Sequence, residues 1–438
     1  MTTMPAVPQA DRVRTLRLSE LLKRPVTAGE GGSPVQLCDV VVRLRGPDLP
    51  LVLGGVANVG GREVRVPWGQ VSSSDGEVQG PAGAWVDLRG FERRAGEVLL
   101  RADILSHRLI DVNAGRLARA SDVELQQRAG EWVLTGVDTR RRRRCLAGLL
   151  GAREPGPRRF CEWSRFEPLI GHIAGAGPLS PFARIRRLKP AQIADLLEEA
   201  SRDERTEILD RVHADPELEA DVFEELDEDL ATRLLGARTD AGIAQVLARM
   251  RADDAADAVA GLPQRRRQPV LDLMPAGQRI KVMTLMGFNP ASAGGLMGVD
   301  YLALAAGTPV GEALAAVGRS RSLQPEALTS VHALDEDGRL LGVATLVCLL
   351  QADPQALLAD VCDVGPVRVS VSTDMVDVAV LMSDYNLITI PVVDERRHLI
   401  GILTVDDVLE ATLPGDWRRR GAALPPDART GTARDLPT

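Results

Sequence analysis

The chain has 438 residues, of which 45% are hydrophobic and 26% are charged, as in ordinary globular proteins. At roughly 150 residues per domain, this length corresponds to about three domains. No uncharged apolar run reaches the roughly 18 residues that a membrane-spanning helix needs. The five cysteines and five histidines form no CxxC, HExxH or HxxxH pattern. The composition therefore excludes a disulfide scaffold and a histidine-based metal hydrolase, and predicts a reduced, cytoplasmic protein that does not cross a bilayer.

The net charge of −8 is distributed unevenly along the chain. Residues 190–260 contain 20 acidic and 7 basic residues, and residues 291–413 contain 17 and 6. Residues 1–189 contain 30 basic and 20 acidic residues. Acidic surfaces repel nucleic acid and attract cations, although ordinary solvated helices have the same composition.

Residues 14–155 have the pattern of a β domain. A run at 40–44 precedes a turn at 46–48, and further short apolar runs are separated by Gly54-Gly55. A second segment contains a strand, an Asn/Gly turn at 113–116 and two more strands. This second segment resembles a PRC-barrel, a small β-barrel found in RNA-processing and photosynthetic proteins. The resemblance implies one barrel at 103–150 and a more divergent copy at 14–80.

Five consecutive arginines, Arg140 to Arg144, follow the last of these strands. Such a run could bind phosphates or anionic lipid, or could be a solvated strand end. No aromatic residue interrupts the run to stack on bases. Residues 156–184, rich in Gly and Pro, are predicted to be a linker.

Residues 185–290 predict an array of short helices. Apolar residues recur at helical spacing, as in Ile193-Leu196-Leu197 and Ile243-Val246-Leu247, with short polar breaks between them. Helices of this length joined by short turns form superhelical repeat domains.

Residues 291–413 alternate strands and helices in two similar copies, 291–352 and 353–413. The first copy has a strand at 331–334, a turn at 335–339 and a second strand at 340–345. The same pattern recurs about sixty residues later, as Pro391-Val392-Val393-Asp394-Glu395 followed by Gly401 to Val408. Two copies at this spacing resemble a tandem CBS pair, also called a Bateman module. The resulting fold class is multidomain α+β: one or two small N-terminal β-barrels, an α-helical superhelical domain and a tandem α/β CBS module.

The helical array, the CBS pair and the joining segment Asn289 to Met297 together resemble the cytosolic part of the MgtE magnesium channels. The resemblance covers about 185–413, and it implies a CBS-mediated homodimer and bound Mg²⁺. In MgtE a pore follows the CBS pair, whereas residues 414–438 of this chain are a polar tail. We therefore expect that this chain does not transport ions by itself.

The same resemblance points to acidic residues as magnesium contacts. Asp253 and Asp257 are four residues apart and are predicted to share one helix face, with Asp254 beside them. Facing carboxylates suit Mg²⁺, which prefers oxygen ligands and retains several waters. Ordinary surface acids are the alternative interpretation. The positions that match the family are Asp253, Asp254, Asp257, Asp374, Asp377, Asp406 and Glu410.

CBS pairs also bind adenine nucleotides such as ATP through a Gly-x-x-Thr/Ser-x-x-Asp pattern. Gly401, Thr404 and Asp407 satisfy this pattern, and the first copy has Cys348 where the acid is expected. The resemblance implies at most one nucleotide site, with the hydroxyl near phosphate and the carboxylate on ribose. Asp407 cannot be assigned to both nucleotide and metal.

No Walker A, GxSxG or Rossmann fingerprint is present in the sequence. The leading hypothesis is a non-enzymatic Mg²⁺ sensor, with an adenine nucleotide as a second ligand. The first alternative is an adaptor for a separate membrane transporter, which would place the chain at the membrane through its partner. The second is an RNA- or ribosome-associated factor that uses the barrels and the arginine run, although the acidic bulk of the chain argues against nucleic acid.

Overall fold

The computed structural model describes residues 14–23, 25–28, 34–46, 48–68, 72–74, 77–80, 87–140, 160–170, 184–321 and 323–413. The described residues form two compact units, divided between Leu218 and Glu219. The first unit contains the β domain and the first helices of the helical array. The second contains the rest of that array and the CBS pair.

The β domain contains one short α-helix, α1 (Leu18–Leu21), and fifteen strands within the described residues. The strands are β1 (Thr15–Arg17), β2 (Pro25–Ala28), β3 (Pro34–Arg45), β4 (Asp48–Val59), β5 (Arg62–Pro67), β6 (Ser72–Ser74), β7 (Glu77–Gly80), β8 (Asp87–Gly90), β9 (Glu97–Leu99), β10 (Arg108–Asp111), β11 (Arg116–Arg119), β12 (Asp122–Arg128), β13 (Glu131–Asp138), β14 (Cys161–Glu162) and β15 (Phe166–Pro168).

Strands from both predicted barrel segments pair in one sheet. Its path is β1-β12-β13-β4-β3-β2-β7-β6, and β13 joins β4 where Val133 pairs with Leu51. The buried core is also continuous, since Val40 and Val52 pack in the same cluster as Val123 and Leu134. The described residues of segments 14–80 and 103–150 therefore share one core.

The Gly54-Gly55 pair lies within a strand, although the sequence suggests a turn there. β4 continues through both glycines, and the turn to β5 lies instead at Gly60-Gly61, whose φ angles are 59° and 84°. A Cβ atom on Gly54 would lie 2.6 Å from the Val66 carbonyl oxygen, and one on Gly55 would lie 2.6 Å from the Leu37 side chain. The two glycines thus allow the neighbouring strands β3 and β5 to approach β4 closely.

Residues 160–170, placed by the sequence in the 156–184 linker, instead belong to the β domain. β14 pairs with β13, and β15 pairs with β10. Trp163 and Phe166 are buried in the domain core. The linker prediction is wrong for these residues because burying the two aromatic side chains outweighs the loop-like composition around them.

Eight helices form the array between residues 190 and 285: α2 (Pro190–Glu199), α3 (Arg202–Val212), α4 (Pro216–Glu224), α5 (Glu228–Gly236), α6 (Asp240–Leu247), α7 (Ala252–Gly261), α8 (Gln264–Leu273) and α9 (Ala276–Leu285). The apolar residues that predicted them are buried, including Ile193, Leu197 and Leu247 at 0% exposure. In the second unit, α5 packs on α7, α6 on α8 and α7 on α9. These three helices therefore each pack on the second helix after them, as in a stacked array.

The remaining elements form the CBS pair: α10 (Ala293–Leu296), β16 (Ala303–Ala305), α11 (Val310–Arg319), β17 (Ser330–Leu334), β18 (Leu340–Thr345), α12 (Leu346–Gln351), α13 (Leu358–Val361), β19 (Asp363–Val364), β20 (Val369–Ser370), α14 (Met375–Tyr385), β21 (Thr389–Val393), β22 (Leu399–Thr404) and α15 (Val405–Thr412).

The two CBS units repeat one design. β16 is parallel to β17 and β17 is antiparallel to β18, just as β20 is parallel to β21 and β21 is antiparallel to β22. The units meet strand to strand, where the Ser330 and Thr389 hydroxyls are 2.9 Å apart and the Leu340 amide donates to the Arg397 carbonyl. The predicted tandem fold is confirmed. Within the described residues, no helix has the length and apolarity needed to cross a membrane.

Candidate functional site

A cavity of about 320 Å³ in the second unit separates the end of α4 from the start of α15. We refer to it as the acidic cavity. Most of the residues around it are carboxylates contributed by both the helical array and the CBS pair. Its lining consists of Glu224, Glu225, Arg251, Gln324, Glu326, Asp406, Asp407, Leu409 and Glu410.

Local sequence determines how α15 presents its acids to this cavity. Thr404 caps the helix, and its hydroxyl and amide both donate to Asp407 Oδ2, at 2.6 and 3.1 Å. Asp406 Oδ1 lies 2.5 Å from the same hydroxyl oxygen, whose single proton can be donated to either carboxylate. Carboxylates in the first turn are favoured by the exposed amides and by the helix dipole. Helix capping and the helix dipole therefore account for the acidic residues of this first turn without any ligand.

Arg251 immediately precedes α7 and contacts carboxylates on both sides of the cavity. Its Nη1 lies 2.7 Å from Asp407 Oδ1, and its Nε lies 2.8 Å from Asp254 Oδ2. Asp253 Oδ2 is 3.7 Å from Nη2, and the Arg251 amide donates to Glu224 Oε1 at 2.6 Å. One residue thus connects α4, α7 and α15.

Burial and crowding of like charges perturb these acids. Burial and the nearby Asp254 carboxylate raise the pKa of Glu224 to about 7, and only the Arg251 amide and guanidinium oppose them. Burial also raises the pKa of Asp253 and of Asp254, and each carboxylate is further destabilised by Asp407. Although burial disfavours its charge, the surrounding carboxylates raise the pKa of Arg251. The site therefore has more negative charge than the single guanidinium neutralises.

The predicted metal contacts are only partly brought together. Asp406 and Glu410 line the cavity, and Asp253 and Asp254 lie against Arg251. Asp257 is exposed, and partial desolvation with Asp254 and Glu228 nearby raises its pKa to about 6.

Asp374, immediately before α14, and Asp377, in its first turn, are exposed and do not line the acidic cavity. Asp374 caps its helix by accepting a bond from the Val376 amide at 2.9 Å. Among the described residues, no three histidine, cysteine or carboxylate side chains converge closely enough to coordinate one ion directly. The seven acids remain predicted contacts, and they do not form a single coordination shell.

The predicted nucleotide residues are adjacent in the structure. Thr404 and Asp407 share the helix cap described above, and both Asp407 oxygens are engaged, one of them by Arg251. A Cβ atom on Gly401 would lie 2.6 Å from Met297 Sδ and 3.0 Å from the Gly298 carbonyl oxygen. Packing alone therefore accounts for a glycine at position 401.

Sequence reasoning missed Glu224, Glu225 and Arg251. The glutamates belong to the acidic stretch Asp221 to Asp229, and a local signal therefore existed. Nothing in that stretch indicates which of its acids face α15. Arg251 stands 156 residues before its partner Asp407, a separation that carries no periodic pattern.

The arginine run that supports the nucleic-acid alternative is described only at Arg140. That side chain pairs with Asp138, with Nε 3.1 Å from Oδ1. Arg141 to Arg144 lie outside the described residues, and the RNA-binding hypothesis stays a prediction.

Two family models match parts of the chain. The family model for the MgtE intracellular N domain matches residues 188–291, and the model for the CBS domain matches residues 358–413. The magnesium transporter MgtE of Thermus thermophilus is 38% identical over 183 residues, which is 40% of each chain. The Bacillus subtilis magnesium transporter MgtE is 25% identical over 231 residues, or 52% of this chain and 50% of the relative.

A solved structure, the cytosolic domain of the Mg²⁺ channel MgtE in complex with ATP, is 31% identical. The matched region covers 51% of this chain and 91% of the chain in that structure, with a TM-score of 0.49. The chain spans 40% to 50% of the length of these two curated relatives.

Proposed function

Because the chain contains an MgtE intracellular N domain and a CBS module and is related to MgtE magnesium transporters, we propose that it is a cytoplasmic, non-enzymatic regulatory protein that senses Mg²⁺. The ion would bridge the helical array and the second CBS unit at the acidic cavity. Binding would favour the state in which these two parts are in contact, and loss of the ion would favour their separation.

The observation that carries this proposal is the pairing of acids across the cavity. Glu224 and Glu225 face Asp406 and Glu410, and the pKa of Glu224 is raised to about 7. A carboxyl with such a pKa lies in a site where negative charge is destabilised, and a cation relieves that cost. Since no three histidine, cysteine or carboxylate side chains in the described part of the chain converge on a point, the arrangement fits a hydrated ion that reaches carboxylates through its own waters.

The apolar surface of the CBS pair supports a homodimer. Large hydrophobic side chains are exposed on α12, α14 and α15, and α14 packs against α15. Contiguous exposed apolar surface is typical of protein interaction sites. Two copies of this surface could cover each other about a two-fold axis. The side chains include Val347, Leu350, Val376, Val380, Val405 and Leu409, at 38% to 66% exposure.

An adenine nucleotide is the proposed second ligand, bound at Gly401, Thr404 and Asp407. The Thr404 hydroxyl and the Asp407 carboxylate are adjacent, as a ligand with phosphate and ribose groups requires. Ribose hydroxyls would need an Asp407 oxygen that now accepts from Arg251 or Thr404. Nucleotide binding would therefore rearrange this contact.

Calorimetric titration of the full chain with Mg²⁺ tests the main proposal. The wild type should bind Mg²⁺ at concentrations on the order of millimolar, as expected for hydrated ions on a few carboxylates. The double variant Glu225→Gln/Glu410→Gln removes one charge from each side of the cavity. We expect it to bind at least about tenfold more weakly, which corresponds to about 1.4 kcal/mol.

The matched control is Glu336→Gln, which removes one exposed acid in the turn between β17 and β18, away from the cavity lining. Its affinity for Mg²⁺ should equal that of the wild type. The proposal fails if the wild type shows no binding up to about 20 mM Mg²⁺. It also fails if the double variant and the wild type bind equally well.

A further inference from the structure

The guanidinium of Arg251 joins carboxylates from two distant parts of the chain. Asp254 and Asp253 lie in the first turn of α7, 2.8 and 3.7 Å from the guanidinium nitrogens. Asp407 lies in the first turn of α15, 2.7 Å from Nη1. These contacts hold the helical array against the second CBS unit, an arrangement we call the closed interface.

Negative charge exceeds positive charge around the Arg251 guanidinium. Of the nine described residues that line the acidic cavity, six are acids and Arg251 alone is cationic. The Asp407 side chain is 8% exposed, and that of Arg251 is 26% exposed. A partly buried pair is screened much less by salt than an exposed one, so this contact acts at physiological ionic strength.

We propose that Arg251 is a tethered cation that maintains the closed interface without a divalent ion, so that Mg²⁺ adds to a closure that the chain itself provides. A guanidinium is permanently charged, and its planar fork suits carboxylates on two sides. Because it is covalently attached, it acts at a high effective concentration and requires no ion from solution. The inference depends on the proposed function only for the identity of the added ion.

Hydrogen exchange of the full chain tests the inference through the amides of α7 and α15. In EDTA, the wild type should retain part of the protection that both helices have with Mg²⁺, because Arg251 provides one share of the closure and the ion provides the rest. Arg251→Met removes the charge and keeps an apolar stem, and we expect amide exchange in α15 to be at least about tenfold faster, since this factor corresponds to about 1.4 kcal/mol of lost closure. Adding 20 mM Mg²⁺ should restore protection in the variant, whereas NaCl of equal ionic strength should not.

The control is Arg265→Met, which removes an exposed arginine of α8 and should leave exchange in α15 unchanged. Arg251→Lys replaces the methionine variant in this test if the methionine variant unfolds. Lysine keeps the positive charge, but its ammonium lacks the planar guanidinium geometry that contacts carboxylates on two sides. It should show intermediate protection in EDTA and should need less Mg²⁺ for full protection than the methionine variant.

Equal protection of α15 in the wild type and in Arg251→Met, both in EDTA, would overturn the inference. So would a wild type that is unprotected in EDTA and becomes protected only with Mg²⁺, because the metal would then be the sole closing cation. A variant that opens in EDTA and is not rescued by Mg²⁺ supports the role of Arg251 and contradicts the proposed Mg²⁺ sensing.

Discussion

Replacing Glu224 with glutamine should change the pH dependence of stability in a direction that the structure specifies. The carboxyl has a pKa of about 7 in the folded protein against an ordinary value of 4.5. Between pH 4.5 and about pH 7 the carboxyl is therefore protonated in the folded protein and ionised in the unfolded chain. The free energy of unfolding consequently falls as the pH rises through this range. A difference of about 2.5 pKa units, at 1.36 kcal/mol per unit, amounts to about 3 kcal/mol at pH 8.

Glutamine retains an acceptor for the Arg251 amide, and the substitution removes mainly the charge. Urea unfolding of Glu224→Gln and wild type, followed by far-ultraviolet circular dichroism, should give similar free energies of unfolding at pH 5. At pH 8 the variant should be more stable by up to about 3 kcal/mol. The other charged groups that act on Glu224, namely Asp254, Asp221 and Arg251, are common to both proteins.

The effect of Mg²⁺ separates this account from a general change in stability. At pH 8 the ion should stabilise the wild type more than the variant, because the wild type has the extra charge to neutralise. The reasoning is refuted if the stability difference between the two proteins stays constant from pH 5 to pH 8. A wild type that gains stability relative to the variant as the pH rises would refute it as well.

Two further substitutions test the fold and the proposed dimer. Gly54→Ala places a Cβ atom 2.6 Å from the Val66 carbonyl oxygen, and calorimetry should show the β domain destabilised by about 1–3 kcal/mol. The control Gly277→Ala lies in α9, where a new Cβ atom meets no atom within 4 Å, and it should be neutral or slightly stabilising. Val380→Asp on exposed α14 should convert a dimer into a monomer in sedimentation velocity, while Leu273→Asp on α8, of similar exposure, should leave the dimer intact; a wild-type monomer would contradict the dimer proposal.

Local patterns in the sequence predict much of this fold because burial and backbone hydrogen bonding act at short range. Ile193, Leu196 and Leu197 recur at helical spacing, and all three are buried on one face of α2. The run 391–393 and the run 401–404 form the paired strands expected of a CBS unit. Thr404 and Asp407, which the sequence pairs as nucleotide contacts, form a helix cap in the structure, because the cap joins residues within one turn.

Only the tertiary structure decides which distant groups become neighbours. The pairing of β13 with β4 merges two predicted barrel segments into one core, and the short segment 160–170 joins that core through Trp163 and Phe166. Arg251 meets Asp407, and Glu224 lies across the cavity from Asp406, because packed elements position these charges. An ion pair requires no periodic spacing along the chain, and its partners are therefore invisible until the chain folds.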